Sequence, residues 1–479
     1  MEKDKNLIKE CREAWEALGW FRQGRRRCKD FAYGRQWGDT VVLPSGRIIT
    51  EGRRMAEAGR TPVTNNLIGR MIKQIVGYYR YMSRQNTCLG GDTSPTLPRT
   101  SSPLEETDAR SLEEFLISGM TVQRVKLVGE GWLPGSKVSS RSPERVFFRR
   151  FHSPDASDAR FLGMLHDLSP SSLVERFGYG EMTRISSIIE SARASAGSSP
   201  LPCLASEVDF GVSDVDGLCR VIEVWRRLYT EVMTVYDIET GNLVAGPATE
   251  EASLRVDLIN RRREAEGRHP LAARTAWNEV WEQTWLLPDG TVLDRCLCHR
   301  KRPVPFVMRL YPMVDGEVHS MVETVIDQQK FVNRLVGLLD EILAASAKGA
   351  VLYPVDQLPE GMTWEELRRL WSSPAAILPF RRTSKSIQPR QISGSGSCAG
   401  ATDLLKTQLS LFDDISGAGG ILSGTGRQAT GADMARLQRD GAAIAMLDIL
   451  SAFREFALRR DSVVDSETIR RSIDRHGSA

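Results

Sequence analysis

Several short stretches of the sequence have residue types and spacings that could do chemistry. Cys296-Leu297-Cys298-His299 looks like half of a metal site. Strand alternation would put Cys296 and Cys298 on one face, but no second Cys/His pair follows at zinc spacing, so the segment reads as a structural strand. His152, Asp155, Asp158, His166 and Asp167 are close in sequence and could suggest a divalent-metal nuclease. Such an enzyme needs convergent carboxylates on rigid elements. Here the acids fall in the loop 153–158, where turn formation by Asp and Pro explains them. Gly417, Gly419, Gly420, Gly424 and Gly426 could cradle a phosphate, yet no strand precedes them and no Lys follows. No Gly-x-x-x-x-Gly-Lys-Ser/Thr loop, His-Glu-x-x-His pair or Gly-x-Ser-x-Gly elbow occurs anywhere. The expectation is a non-enzyme with no cofactor and no resident metal.

The bulk numbers agree with a non-catalytic globular chain. Net charge is +3, from 64 basic and 61 acidic residues in 479. That balance does not announce a dedicated nucleic-acid clamp, which carries a strongly basic domain. Arginines cluster at 25–27, 149–150, 261–263, 381–382 and 459–460, and such clusters read as solvated faces or as partners of nearby carboxylates. The eight cysteines have no disulfide-framework spacing and are expected as thiols. No apolar run approaches the roughly 18 residues that a membrane span needs. The charged start Met1–Lys5 leads into an amphipathic pattern, so cytoplasmic synthesis without membrane insertion is expected.

The elements that would position these residues are helices and strands in mixture. Leu7, Cys11, Trp15 and Leu18 have helical spacing. An aromatic turn, Phe31 to Gly38, and an extended Arg60–Asn66 lead to a helix from Asn66 through Tyr79, with Asn65 or Asn66 as N-cap. Residues 88–108 read as a loop, and 121–154 as strands. A short capped helix is expected at 169–177, a small-residue loop at 192–203, and a strand at 221–236 closed by Thr240-Gly241-Asn242. A polar helix follows at 249–266; its sparse apolar positions Leu254, Val256, Leu258 and Ile259 predict packing against neighbours or copies of itself. A compact insert at 277–305 carries Trp277, Trp281 and Trp285, with a hairpin-turn signal at 287–291. The strongest helix spans 318–348, roughly 45 Å at 1.5 Å per residue. A short helix at 363–371, a strand at 376–379, a Gly/Ser hinge at 393–400, a helix at 401–415 and a last long helix at 430–460 complete the reading.

Four stretches, in this order, resemble the portal proteins of tailed bacteriophages, in particular the large podovirus-like branch. They are Phe31-x-Tyr33-Gly34-x-Gln36-Trp37 with Pro62-x-Thr64-Asn65-Asn66; Ser142 to Phe147 with Asp158 to Gly163; Asp327-Gln328-Gln329-x-x-x-Asn333-Arg334; and Ile415 through Gly424 to Gly431. None is specific alone; their order carries the resemblance. It implies a mixed α/β portal fold with an α/β wing, a two-helix stem, a small α/β clip inserted between the stem helices, a tunnel loop and a helical crown. Laid on this chain, the wing takes 1–248 and returns at 349–415. The stem helices take 249–268 and 317–348, the clip 269–316, the tunnel loop 416–428 and the crown 429–479.

What the resemblance implies about function follows. Copies would form a ring, twelve in the virion, at one capsid vertex. The ring would conduct double-stranded DNA during packaging and ejection. It would dock the terminase large subunit, head-completion and adaptor proteins, and capsid or scaffold protein. The protein would reside in the virion after assembly from the host cytoplasm. Channel candidates are Arg427 and Gln428 on the loop and Arg261, Arg262 and Arg263 at the stem. Trp277, Trp281 and Trp285 are candidates for the clip and oligomer interface, because aromatics dominate interface cores. The loop glycines 417, 419, 420, 424 and 426 would give it flexibility. The competing readings are another virion structural protein, or a DNA-packaging enzyme with a nucleotide or two-metal site.

Overall fold

A computed structural model of the chain describes residues 4–88, 103–128, 135–177, 208–213, 217–298, 304–348, 350–352, 361–371, 390–392, 398–417 and 446–464, and the single residues 190 and 358. The expected loop 192–203, the strand at 376–379, most of the hinge 393–400 and the start of the last helix lie outside the described residues. The chain forms two compact units. One comprises 1–29, 78–321 and 447–479; the other comprises 30–77 and 322–446.

The first unit is built on the strand Cys219–Tyr236. Its neighbours, all antiparallel, put the sheet in the order Val292–Cys298, Ala272–Leu286, Cys219–Tyr236, Phe161–Leu168, Val146–Phe148, with Leu243–Pro247 pairing the far end of the central strand. Period-two alternation divides the core cleanly. Phe161, Leu165, Ile222 and Val224 pack on one side against Leu7, Cys11 and Trp15 of the helix Lys5–Ala17. Leu162, Met164, Trp225 and Trp281 pack on the other, with Phe21, Met120 and Met308. Both faces are therefore covered, and the run Cys219–Trp225 is buried without a break. Gly163 lets the Phe147 ring lie against the strand: a Cβ there would come within 2.1 Å of it.

A second sheet, Phe306–Leu310, Met120–Val128 and Gly135–Arg141, packs beside the helix Pro103–Ser118. That helix begins inside the stretch read as a loop to residue 108. Its start is local in chemistry, with Pro103 at the first turn and Glu105 and Glu106 facing the helix dipole. Its hold is tertiary: buried Asp108 accepts from Gln123 at 2.9 Å and pairs with Arg460 of the helix over 446–464. Phe453 of that last helix meets Tyr79, Phe115 and Phe456 at ring separations of 5.4, 6.0 and 5.5 Å.

The helix Gly19–Ala32 has no counterpart in the sequence reading. Its arginine run hides the pattern, because Arg25 is a core residue. Its guanidinium is 5 % exposed and binds Glu114 at 2.7 and 2.8 Å and Glu144 at 2.9 Å, while Arg26 binds Glu144 at 2.6 Å.

The second unit is organised by buried side-chain amides. Asn66 caps the helix Leu67–Cys88 by accepting from Gly69 N–H at 2.9 Å. Gln329, fully buried on the helix Met321–Lys348, accepts from the N–H groups of Leu67 and Ile68 at 2.9 and 3.2 Å. It donates to Asn65 O at 2.6 Å and to Asn333 Oδ1 at 3.0 Å. Asn333 in turn donates to Gln36 at 2.6 Å, and Gln36 donates to Phe31 O at 2.9 Å. Two of the four sequence stretches singled out above thus meet in one network, which satisfies donors that every helix N-terminus leaves open.

Replacing Gln329 by Leu strands the Ile68 N–H in an apolar setting and removes one of two partners from the Leu67 N–H and the Asn65 carbonyl, which still bond each other at 2.9 Å. A buried group left unpaired costs on the order of 1–3 kcal/mol, so Gln329→Leu should lower unfolding free energy by about 1–3 kcal/mol. Urea denaturation followed by circular dichroism reads this directly.

Candidate functional site

Two features among the described residues of the first unit are candidates for function. The first is a buried charge cluster that sequence reasoning missed. Glu223 is fully buried in the middle of the apolar strand Cys219–Tyr236. Arg124 binds it at 2.5 Å, the His166 Nε2–H donates at 2.8 Å, Trp225 Nε1–H at 3.0 Å and Gln283 Nε2–H at 2.7 Å. Burial raises the Glu223 carboxyl, but the His166 hydrogen bond and the Arg124 charge outweigh it and hold it at about 2. Burial pushes His166 down. The result is a carboxylate held in its ionised form, with both oxygens engaged by Arg124, His166, Trp225 and Gln283. A closed, saturated cluster of this kind specifies packing and offers no group to a substrate. The signal for it was present: an acid, a base and a His each interrupt an apolar strand.

The acids once weighed as metal ligands are spent locally. Asp158 accepts from the N–H groups of His152 and Ser153 at 2.7 and 2.9 Å, and Asp155 from Ser153 Oγ and Ser157 N–H at 2.5 and 3.0 Å. A cavity of about 450 Å³ lies between Ala14, Leu18, Phe21, Met120, Phe151 and Leu310. Its wall is apolar, with Glu13, Arg149 and Arg150 also lining it.

The second feature is an exposed ribbon. Cys219–Tyr236 and Ala272–Leu286 stay in register from Ile222–Leu286 to Tyr236–Ala272. The near half lies in the core; the far half carries Tyr229, Tyr236 and Trp277 into solvent, and its side strand Leu243–Pro247 exposes Leu243 and Val244. From that strand the chain enters the helix Glu250–Ala265, capped by Thr249, whose hydroxyl accepts from Ala252 N–H at 3.2 Å. The helix buries no residue, and Leu254, Leu258 and Ile259 stand exposed. Its far end is tied to the ribbon tip. Asn260 exchanges hydrogen bonds with the Leu271 backbone at 3.1 and 2.7 Å, and Arg263 clamps Asp237 at 2.6 and 2.9 Å. The Arg263 hydrogen bond, with backbone donors, holds the Asp237 carboxyl far below the usual carboxylate range.

The site residues named from sequence fall out unevenly. Trp281 and Trp285 are core residues, 8 % and 2 % exposed; Trp281 stands edge-on to Trp225 and Trp285 packs on Phe177 and under Arg176. Trp277 is 67 % exposed. The segment 269–316 is no compact lobe of its own, since its strands belong to both sheets of the first unit. Arg263 is engaged as above, Arg262 pairs with Glu266 at 3.1 Å, and Arg261 is exposed. Gly417, with φ +63°, ends the helix Cys398–Ser416. Gly419, Gly420, Gly424, Gly426, Arg427 and Gln428 lie outside the described residues.

Glu223 makes acid stability testable. Its folded pKa is depressed, so its contribution is fully present above its ordinary value of 4.5 and is lost as pH falls from there toward about 2. Glu223→Gln should be about 3–5 kcal/mol less stable at pH 7, because Arg124 loses its buried partner. Its stability should also vary less with pH than the wild type's across that acid window. Chemical denaturation at a series of pH values checks both.

A family model described as phage P22-like portal protein matches residues 111–457, a stretch that takes in the ribbon, the helix Glu250–Ala265 and the helix Met321–Lys348. No curated protein matches the chain.

Proposed function

The chain belongs to the phage P22-like portal protein family, matched across residues 111–457, and from that premise we propose that its copies close into a ring whose channel passes the genome. Portal function, as a structural part of the capsid through which DNA is packaged, comes with the family.

The observation that carries the ring is the helix Glu250–Ala265. A helix with no buried residue and three large exposed apolar side chains is not a stable end state for a lone subunit. A cyclic assembly repeats one heterologous contact, so a surface left open on one side of each copy is covered by the next. In this reading 249–268 and 317–348 are the stem, 416–428 the tunnel loop and 429–479 the crown, with the wing formed by the remainder; 269–316 takes the clip's place between the stem segments although its strands join both sheets of the first unit. The clip faces the terminase large subunit and later the head-completion proteins, while the wing meets capsid or scaffold protein. Twelve copies surround the channel in the virion, and the subunits come from the host cytoplasm.

Charge supports a conduit over a clamp. Each phosphate held by a Lys or Arg adds affinity and salt dependence, and so drag on sliding DNA. Of the five arginines in 249–268, Arg263 and Arg268 are clamped by Asp237 and Glu239 and Arg262 pairs with Glu266 one turn on, while Arg255 and Arg261 stand exposed.

Negative-stain electron microscopy of the purified chain should show rings with a central channel wide enough for duplex DNA. The double substitution Leu254→Glu/Leu258→Glu should leave the subunit folded, since neither residue is buried, and abolish those rings. A wild-type chain that stays monomeric at micromolar concentration and hydrolyses ATP or cuts DNA would overturn the reading.

A further inference from the structure

We propose that the far end of the ribbon continues its sheet into the next subunit: the open edge of Leu243–Pro247 in one copy pairs with the open edge of residues 272–279 in its neighbour. The proposal rests on the ring reading and names the contact that closes it. At its far end the ribbon is three strands wide, in the order Leu243–Pro247, Cys219–Tyr236, Ala272–Leu286. Val292–Cys298 covers the last strand only from Trp281 onward. Among the described residues, nothing pairs with the outer edge of Leu243–Pro247 or with that of residues 272–280.

Which backbone groups face outward can be read residue by residue. Asp237 N–H donates to Asn242 O at 2.9 Å and Ala248 N–H to Glu231 O at 3.0 Å. On the same side of the central strand, Arg227 N–H donates to Arg160 O at 2.9 Å. Successive residues of an antiparallel strand direct their N–H and C=O alternately to either side. Odd-numbered residues of Cys219–Tyr236 therefore bond toward Leu243–Pro247, and even-numbered ones toward Ala272–Leu286. With the observed register, Val244 and Gly246 point into the ladder and Leu243 and Ala245 point out. On the opposite edge, Ala273, Thr275, Trp277 and Glu279 point out.

Natural edge strands are protected by charge, proline or a covering element. Leu243-Val244-Ala245-Gly246 has no such guard: Leu243 and Val244 are 67 % and 64 % exposed, and the first proline is Pro247 at the strand's end. A heterologous ring needs two different surfaces that fit each other, and these two edges lie on opposite sides of one sheet. The edge 272–279 carries both signs, Arg274 and Glu279, and the other edge is uncharged until Glu250 and Glu251 beyond Pro247, so backbone pairing rather than charge selects the partner edge. Both edge strands run opposite to Cys219–Tyr236, so the join between neighbouring copies is a parallel ladder.

Proline at an outward amide tests this without touching the subunit's own ladder. Ala245→Pro and Thr275→Pro should each keep the wild-type circular dichroism and melting behaviour while the ring fraction falls by about tenfold or more. Ala245→Val, which keeps its N–H, should still form rings. Each proline variant retains one sound edge, so a mixture of the two should yield dimers and nothing larger. A second measurement does not need proline to be tolerated. In a Cys296→Ser background, Ala245→Cys combined in turn with Ala273→Cys, Thr275→Cys or Trp277→Cys should give, for one combination, an oxidised ladder of covalent oligomers. Rings at wild-type yield from both proline variants, or no ladder from any cysteine combination, would overturn the edge pairing and leave the ring standing. A wild-type chain that forms no rings would remove the ring reading itself.

Discussion

The strand Cys219–Tyr236 has to satisfy backbone donors and acceptors on both of its edges over a length that runs from the core into solvent. Its near half does so between Phe161–Leu168 and Ala272–Leu286 and is covered on both faces, which is why its residues are apolar without alternation. Its far half exchanges Phe161–Leu168 for the short strand Leu243–Pro247 and is only partly covered, with Val232 and Met233 buried and Tyr229 and Tyr236 exposed. One hydrogen-bonded ladder therefore joins the buried core of the first unit to an exposed end. The surface proposed for assembly is held by the same register that packs Trp225 against Trp281.

Buried polar networks fix each unit separately. Arg124, His166, Glu223 and Gln283 tie the two sheets of the first unit together, and Gln36, Asn66, Gln329 and Asn333 do the same for the helices of the second. Such clusters contribute little net free energy compared with apolar packing of equal volume, but each member has one geometry in which its partners are satisfied. They act as register pins. For the ring proposed above, in which every copy would present the same surfaces, a single packing matters as much as total stability.

Several of the arginines, Arg25, Arg220, Arg263 and Arg460 among them, are spent inside the first unit, on its own carboxylates. A guanidinium held by two carboxylate oxygens has its donor fork occupied and its charge cancelled. Balanced composition and intramolecular pairing are therefore two views of the same property, and both favour passage of a polyanion over its capture.

By itself, the sequence determined the local decisions. Helix starts at Asn66, Thr249 and Thr363 were legible because a cap acts on amides two or three residues away, and the turn at Asp289-Gly290 because it needs a positive φ. The sparse apolar positions of the helix Glu250–Ala265 predicted packing against a neighbour or a copy, and within the subunit Leu254 and Leu258 are left exposed. Tertiary structure alone decided what depends on distant partners. Arg25 is a core residue only because Glu114 and Glu144, 89 and 119 positions away, meet it. Trp281 and Trp285 are buried and Trp277 is not, because the sheet's cover ends between them, and no spacing of tryptophans encodes where a cover ends. Periodicity and capping are short-range and survive in a one-dimensional string, whereas burial and charge pairing are properties of neighbours in space and exist only once the chain has folded.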